Sequence, residues 1–158
     1  MHSVTITLKG LKETKSLGQL LGRLAQAGDV ICLDGDLGAG KTTLTQSIAT
    51  GLEVPENSYV SSPSFAIMHQ YEGRIPMYHM DFYRLGDVTE VEDLGFEEYF
   101  YLDGLTVIEW SERAMDILPD KKLTLNFTLN YDLTRTIMVQ GSLRNTSFPR
   151  LLSDMFEL

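Results

Sequence analysis

An α/β fold is what this sequence predicts, and three observations carry the expectation. A short apolar, partly β-branched run, Val30-Ile31-Cys32-Leu33, leads into the glycine-rich segment Gly35-Asp36-Leu37-Gly38-Ala39-Gly40-Lys41-Thr42. The residues after it, Thr43-Leu44-Thr45-Gln46-Ser47-Ile48-Ala49, can continue as a helix, so strand, glycine loop and helix follow without a break. Further strand-like and helix-like stretches occupy the rest of the 158 residues, with no internal repeat, low-complexity tract or linker. One α/β domain over residues 1–158 is therefore the economical reading.

Each element has its own signal. Residues 3–8 alternate polar and apolar, as a half-buried strand does. Leu17, Leu20, Leu21, Leu24 and Ala25 repeat at helical spacing, with Thr14 as the expected N-cap and Gly28 as the expected stop. After the glycine loop and its helix, Gly51 closes the segment and a connector spans residues 54–62. Residues 65–71 and 75–83 read as two strands joined by Glu72-Gly73-Arg74, a hairpin connection. Residues 89–100 are acidic with interspersed apolar side chains, the pattern of one or two short helices. Leu105-Thr106-Val107-Ile108 is another buried-type strand, ending at Glu109. Residues 123–131 and 135–141 form a second expected hairpin, turning at Asp132-Leu133-Thr134. The tail from Asn145 can close in a short helix with Phe148, Leu151, Leu152 and Met155 on one side.

Composition narrows the function. A formal charge of −9 argues against direct nucleic-acid binding through a broad electropositive face. That charge is unevenly placed. Between Arg84 and Arg113 there is no Lys or Arg, yet Asp87, Glu90, Glu92, Asp93, Glu97, Glu98, Asp103, Glu109 and Glu112 all fall there. The span reads either as a solvated surface or as a docking surface for a partner with basic patches. No apolar stretch approaches the roughly 20 residues needed to cross a bilayer, and Met1-His2-Ser3-Val4-Thr5 lacks a signal-peptide layout. Cys32, the single cysteine, lies in an expected buried strand and reads as a small core residue. With no disulfide framework, a reducing, cytoplasmic setting is expected.

The chemistry starts at the glycine segment. Gly35 to Thr42 fits the pattern G-x-x-x-x-G-K-[ST] at every fixed position. Glycines let the backbone curl so that successive N–H groups point at phosphate oxygens. Lys41 would bring a positive charge to the β- and γ-phosphates, and the Thr42 hydroxyl would ligate Mg²⁺. A helix N-terminus following the loop favours anions there. The expected nucleotide-binding set is Gly35, Asp36, Leu37, Gly38, Ala39, Gly40, Lys41, Thr42 and Thr43.

Three further sites join it. Glu109 ends an apolar strand, the usual place of the acid that handles Mg²⁺ beside such a loop, because strand carboxyl ends border the ligand crevice of a parallel sheet. In His79-Met80-Asp81-Phe82-Tyr83-Arg84, an extended backbone puts His79, Asp81 and Tyr83 on one face and Met80 and Phe82 on the other. That polar stripe is either a wet strand face or a cluster that orients water or assists a metal, with Asp81 the candidate to act on the attacking water. Ser61-Ser62-Pro63-Ser64-Phe65 is either an ordinary turn or a mobile element sensing a γ-phosphate. Trp110 adjoins Glu109 and reads as a large side chain closing the core edge, placed to report nucleotide binding by its fluorescence.

Taken in order, Gly35 to Thr43, Ser61 to Phe65, the run from His79 to Leu85, and Val107-Ile108-Glu109-Trp110 resemble the bacterial TsaE (YjeE) family. The resemblance spans the chain from Leu17-Gly18 to the strand near Arg135. It implies a phosphate-loop NTPase-like three-layer sandwich whose mostly parallel central sheet is extended by antiparallel strands. It implies an ATPase that serves threonylcarbamoylation of tRNA adenosine 37 together with TsaD-like and TsaB-like subunits, with tRNA reached through that complex. Thr42 and Glu109 would handle Mg²⁺, Asp81 would assist hydrolysis, and residues 61–65 would be a switch-like loop. Leu11 and Arg135 are candidates for the adenine end by the same analogy. ATP rather than GTP also rests on the resemblance, although no N-K-x-D run is present. Ser61 and Ser64 stand where Thr is common, and Ser111 stands where a proline often follows Glu-Trp, a change expected to loosen the loop after Trp110. Two alternatives remain beside the ATPase: a small-molecule kinase, against which no Arg-rich lid segment is found, and a nucleotide-gated binding module.

Overall fold

The computed structural model describes residues 3–36, 38–63, 65–86, 88–144 and 148–155. Leu37, Ser64, Asp87 and Asn145, and the side chain of Met155, lie outside what is described. Seven strands form one sheet: β1 (Ser3–Leu8), β2 (Val30–Gly35), β3 (Met68–Tyr71), β4 (Met77–Asp81), β5 (Leu105–Glu109), β6 (Leu123–Leu129) and β7 (Arg135–Gly141). Their order across the sheet is β1-β7-β6-β2-β5-β4-β3. The central run β6, β2, β5 and β4 is parallel. Antiparallel β7 and β1 extend one edge, and antiparallel β3 extends the other.

The four-residue run Val30 to Leu33 explains the layering. Side chains alternate across a strand, and this one is apolar on both sides, as a strand covered on both faces must be. Ile31 and Leu33 join a core with Leu17 and Leu21 of α1 (Leu11–Leu24), Leu44 and Ile48 of α2 (Lys41–Gly51), and Phe148 and Leu152 of α4 (Phe148–Met155). Val30 and Cys32 face the opposite core, with Val91 of α3 (Val88–Asp93), Phe100 of the 3-10 helix Phe96–Tyr101, and Ala114. The result is the expected three layers around a mixed sheet.

Helices α1 and α2 lie almost backbone to backbone. A Cβ added at Gly22 would stand 2.2 Å from the Ile48 carbonyl oxygen, and one at Gly51 would stand 2.1 Å from that of Gln19. This contact seats α2, and with it the loop that precedes it.

Several boundaries differ from the sequence reading. Helix α1 starts at Leu11 with Gly10 as its N-cap residue, so Thr14 is not the cap. The Lys9 N–H donates to Glu13 at 2.7 Å, and the Thr14 hydroxyl donates back to the Gly10 carbonyl at 3.3 Å, which stabilises an earlier start. The helix ends at Leu24, and Gly28 instead serves the turn into β2 at φ 89°. Strand β4 stops at Asp81 because the Asp81 carboxylate accepts the Tyr83 N–H at 2.9 Å and turns the chain. The 3-10 stretch Ser111–Ile117 was not anticipated. Among the described residues, no helix is long and apolar enough to cross a membrane.

Candidate functional site

Strand β2 delivers the glycine segment at its carboxyl end, and α2 starts at Lys41. Gly40 sits at φ 105°, where an L side chain is strained, and this turn aims the first residues of α2 back at the sheet edge. The Lys41 ammonium donates to the Gly35 carbonyl and stands 3.7 Å above the centre of the Trp110 ring. Burial pulls Lys41 below its ordinary range, and the neighbouring Glu109 works against that shift. Arg135, at the start of β7, reaches across the loop, its Nε donating to the Ala39 carbonyl at 2.8 Å.

Strands β4 and β5 bring the acids to the same edge. Their parallel register pairs Asp81 with Glu109, and β5 in turn pairs Glu109 with Leu33 of β2. The Thr42 hydroxyl, in the first turn of α2, lies 3.5 Å from Glu109 Oε1. On the other side, His79 Nε2 lies 2.6 Å from Glu109 Oε2. Ser62 donates its hydroxyl to Asp81 Oδ2 at 2.6 Å, while Asp81 Oδ1 takes the Tyr83 N–H. Thr42, Glu109, Ser62 and Asp81 border one cleft of about 390 Å³.

Most of the sequence-predicted residues therefore converge. Gly38, Gly40, Lys41, Thr42, Thr43, Ser62, Asp81, Glu109 and Arg135 line the cleft together with Trp110 and Tyr83. Gly35 contributes through its carbonyl, and Asp36 through a turn in which its carbonyl accepts the Ala39 N–H at 3.2 Å. Leu11, 58% exposed at the start of α1, does not border this cleft. Among the described residues of the serine segment, Ser62 alone lines the cleft. Ser61 is exposed, Pro63 is buried, and Phe65 is exposed with the Arg84 guanidinium 4.1 Å from its ring centre. Leu37 and Ser64, proposed from the sequence, fall outside the described residues.

One of the two readings of β4 falls, and the expectation for Ser111 is corrected. The polar stripe on β4 is not a wet face, because His79 is 0% and Asp81 4% exposed. His79 shares its face of β4 with Met77, which belongs to the core beneath α1 and α2, and Ser62 hydrogen-bonds Asp81, neither of which alternation alone reveals. Nor does Ser111 loosen the loop after Trp110. Its N–H and hydroxyl both donate to Asp34, at 2.7–2.8 Å, and the side chain is buried. A proline there has no N–H to give. His79 was visible on the right face, but nothing in the sequence pairs it with Glu109. Tyr83 packs on Trp110 at 4.9 Å between ring centres, a contact that the shared face with His79 and Asp81 does not reveal.

The donor set suits a hard cation. Thr42 Oγ1 and Glu109 Oε1 are neighbouring oxygens at the mouth of the loop, and Asp81 adds a carboxylate on the adjacent strand. Magnesium takes one or two protein oxygens and completes its shell with water and phosphate oxygens. Among the described residues there is no cluster of three or more His, Cys, Asp or Glu that would make an all-protein cage.

Comparison with known proteins converges on one family. The model for "Threonylcarbamoyl adenosine biosynthesis protein TsaE" matches residues 8–137. The chain is similar to the tRNA threonylcarbamoyladenosine biosynthesis protein TsaE of a Nostoc species, 46% identical over 132 residues, covering 80% of this chain and 77% of that protein. The protein of the same name from Treponema pallidum is 37% identical over 131 residues, covering 83% and 96%. The crystal structure of YdiB from Bacillus subtilis superposes with a TM-score of 0.74 at 30% identity, over 99% of this chain and 95% of that one.

Proposed function

Because the chain belongs to the TsaE family of tRNA threonylcarbamoyladenosine biosynthesis proteins, we propose that it is the Mg²⁺-dependent ATPase of that modification. In this reading the loop from Gly35 to Thr43 receives the triphosphate of ATP on its amides and at the N-terminus of α2. Lys41 neutralises the β- and γ-phosphates, and Thr42 and Glu109 hold Mg²⁺. When bound, the cation would neutralise the charge that develops on the transferred phosphoryl group. Asp81 orients the attacking water, and Ser62, already hydrogen-bonded to it, links that carboxylate to the serine segment. Positioning and electrostatics carry the catalysis, with no covalent intermediate required of the protein. Binding and hydrolysis would be coupled in the cytoplasm to TsaD-like and TsaB-like subunits that carry out the transfer and contact tRNA.

The observation that supports this best is the meeting of Thr42, Glu109 and Asp81 beside Lys41, from three separate elements, at one sheet edge. Phosphate release from ATP, measured with and without the partner subunits and tRNA, tests it. Stimulation by the complex supports the coupled ATPase. Phosphate appearing on a small-molecule acceptor would make the protein a kinase instead. Many rounds of tRNA modification by a variant that binds but does not hydrolyse ATP would make it a nucleotide-gated module.

A further inference from the structure

We propose that His79 is the positioning residue for Glu109: its buried imidazole holds one carboxylate oxygen so that the other faces Thr42 and the divalent cation. The inference rests on the reading of Glu109 as a magnesium-handling acid. Strand alternation puts His79 on the same face of β4 as Asp81, and the register sets Asp81 directly opposite Glu109. His79 is therefore one step back along the strand, behind the carboxylate as seen from the cleft. Its Nε2 lies 2.6 Å from Glu109 Oε2, whereas Oε1 lies 3.5 Å from the Thr42 hydroxyl. The two oxygens thus have different partners, one buried and one open to the cleft.

The ring's hydrogen bonding identifies its role. An ionised carboxylate only accepts, so the imidazole donates through Nε2. Among the described residues, His79 Nδ1 is buried and has no hydrogen-bond partner, so Nε2 is the ring atom that engages Glu109. As a donor it fixes the orientation of Glu109 and leaves the other carboxylate oxygen available to a cation. Without it, the three side-chain torsions of Glu109 lose their anchor. Groups that hydrogen-bond a metal-binding side chain from behind commonly change metal affinity by about 10- to 100-fold.

Two substitutions in the full chain separate this role from packing. In His79→Gln the amide nitrogen reaches to about the place of Nε2, while in His79→Asn it stops near Nδ1, where no acceptor waits. Mg²⁺ is titrated at a saturating, hydrolysis-resistant ATP analogue, followed by the emission of Trp110, the chain's one tryptophan. The same analogue is titrated in EDTA. His79→Asn should raise the half-saturating Mg²⁺ concentration about tenfold or more, with His79→Gln within about threefold of wild type and nucleotide binding in EDTA unchanged in both. An unchanged magnesium response in His79→Asn overturns the proposal. So does an equal loss of binding in EDTA, which would make His79 a packing residue. The wild-type protein gives an independent measurement that needs no variant. Nitrogen-15 spectra of His79 should show a proton on Nε2, and a ring without a proton there overturns the proposal. A wild-type protein whose nucleotide complex ignores Mg²⁺ removes the magnesium role of Glu109 itself, and the proposal with it.

Discussion

Lys41 holds its ammonium between the Gly35 carbonyl and the face of Trp110, so an arriving triphosphate competes with two existing contacts. Burial already disfavours its charge, and phosphate oxygens would restore it. Lys41→Ala should therefore weaken Mg·ATP binding at least tenfold, as read by calorimetry. Asp81 has a different signature. Its oxygens accept hydrogen bonds from the Ser62 hydroxyl and the Tyr83 N–H. Asp81→Ala should lower the hydrolysis rate by about 10²- to 10⁴-fold while the dissociation constant for Mg·ATP stays within a few-fold. Rates equal to wild type would remove Asp81 from the reaction. Cys32 illustrates the opposite case, a titratable group with no part in the site. Burial pushes its thiol up to about 12, so thiolate is scarce at neutral pH. A thiol reagent at pH 8 should leave the native protein unmodified and label one group after denaturation.

At the scale of elements, the α1–α2 contact decides where the glycine loop sits. Gly51→Ala tests it. Alanine favours a helix over glycine by about 1 kcal/mol, yet the added Cβ would stand 2.1 Å from a backbone oxygen that no rotamer can move. Overpacking typically costs about 1–3 kcal/mol, and against a main-chain atom the larger value should win. The net expectation is a loss of about 1–2 kcal/mol in denaturant unfolding, although the substitution is usually stabilising on an open helix. A neutral result would mean that the two helices can slide apart without disturbing the fold. The hairpin of β6 and β7 matters for a second reason. It places Arg135 over the loop, joining the sheet's antiparallel edge to the cleft.

Across the whole molecule, a charge of −9 makes stability sensitive to where acids are held. Glu112 follows the site segment, and its carboxyl is raised to about 7, first by burial and then by a hydrogen bond to Asp34 and the repulsion of that acid. Its ordinary value is 4.5. Below 4.5 the folded and unfolded chains both keep the proton, so the group is neutral to stability's slope. Between 4.5 and about 7 the folded chain keeps a proton that the unfolded chain has lost, and stability falls as pH rises. Above about 7 its contribution is level again. Glu112→Gln should flatten the decline in melting temperature across that window and raise the midpoint more at pH 8 than at pH 4.5. Equal shifts at both values would show that Glu112 does not carry the slope. The acids from Glu90 to Asp103 remain exposed around α3 and the following 3-10 helix, the surface on which a basic partner would find charge complementarity.

Local chemistry is written in consecutive residues, and that is the part the sequence determined. The glycine loop, the buried-type strands β2 and β5, both hairpins and the acid at the end of β5 are each specified within a few residues by glycine placement, apolar runs and turn chemistry. Pairing is not local. That Asp81 lies opposite Glu109, that His79 backs the same carboxylate, and that Ser62 and Arg135 close on the cleft from 19 and 96 residues away along the chain followed only from strand order and register. Burial removed the wet-face alternative for β4 for the same reason. A strand's alternation says which residues share a face, but the elements packed against that face decide whether it meets water.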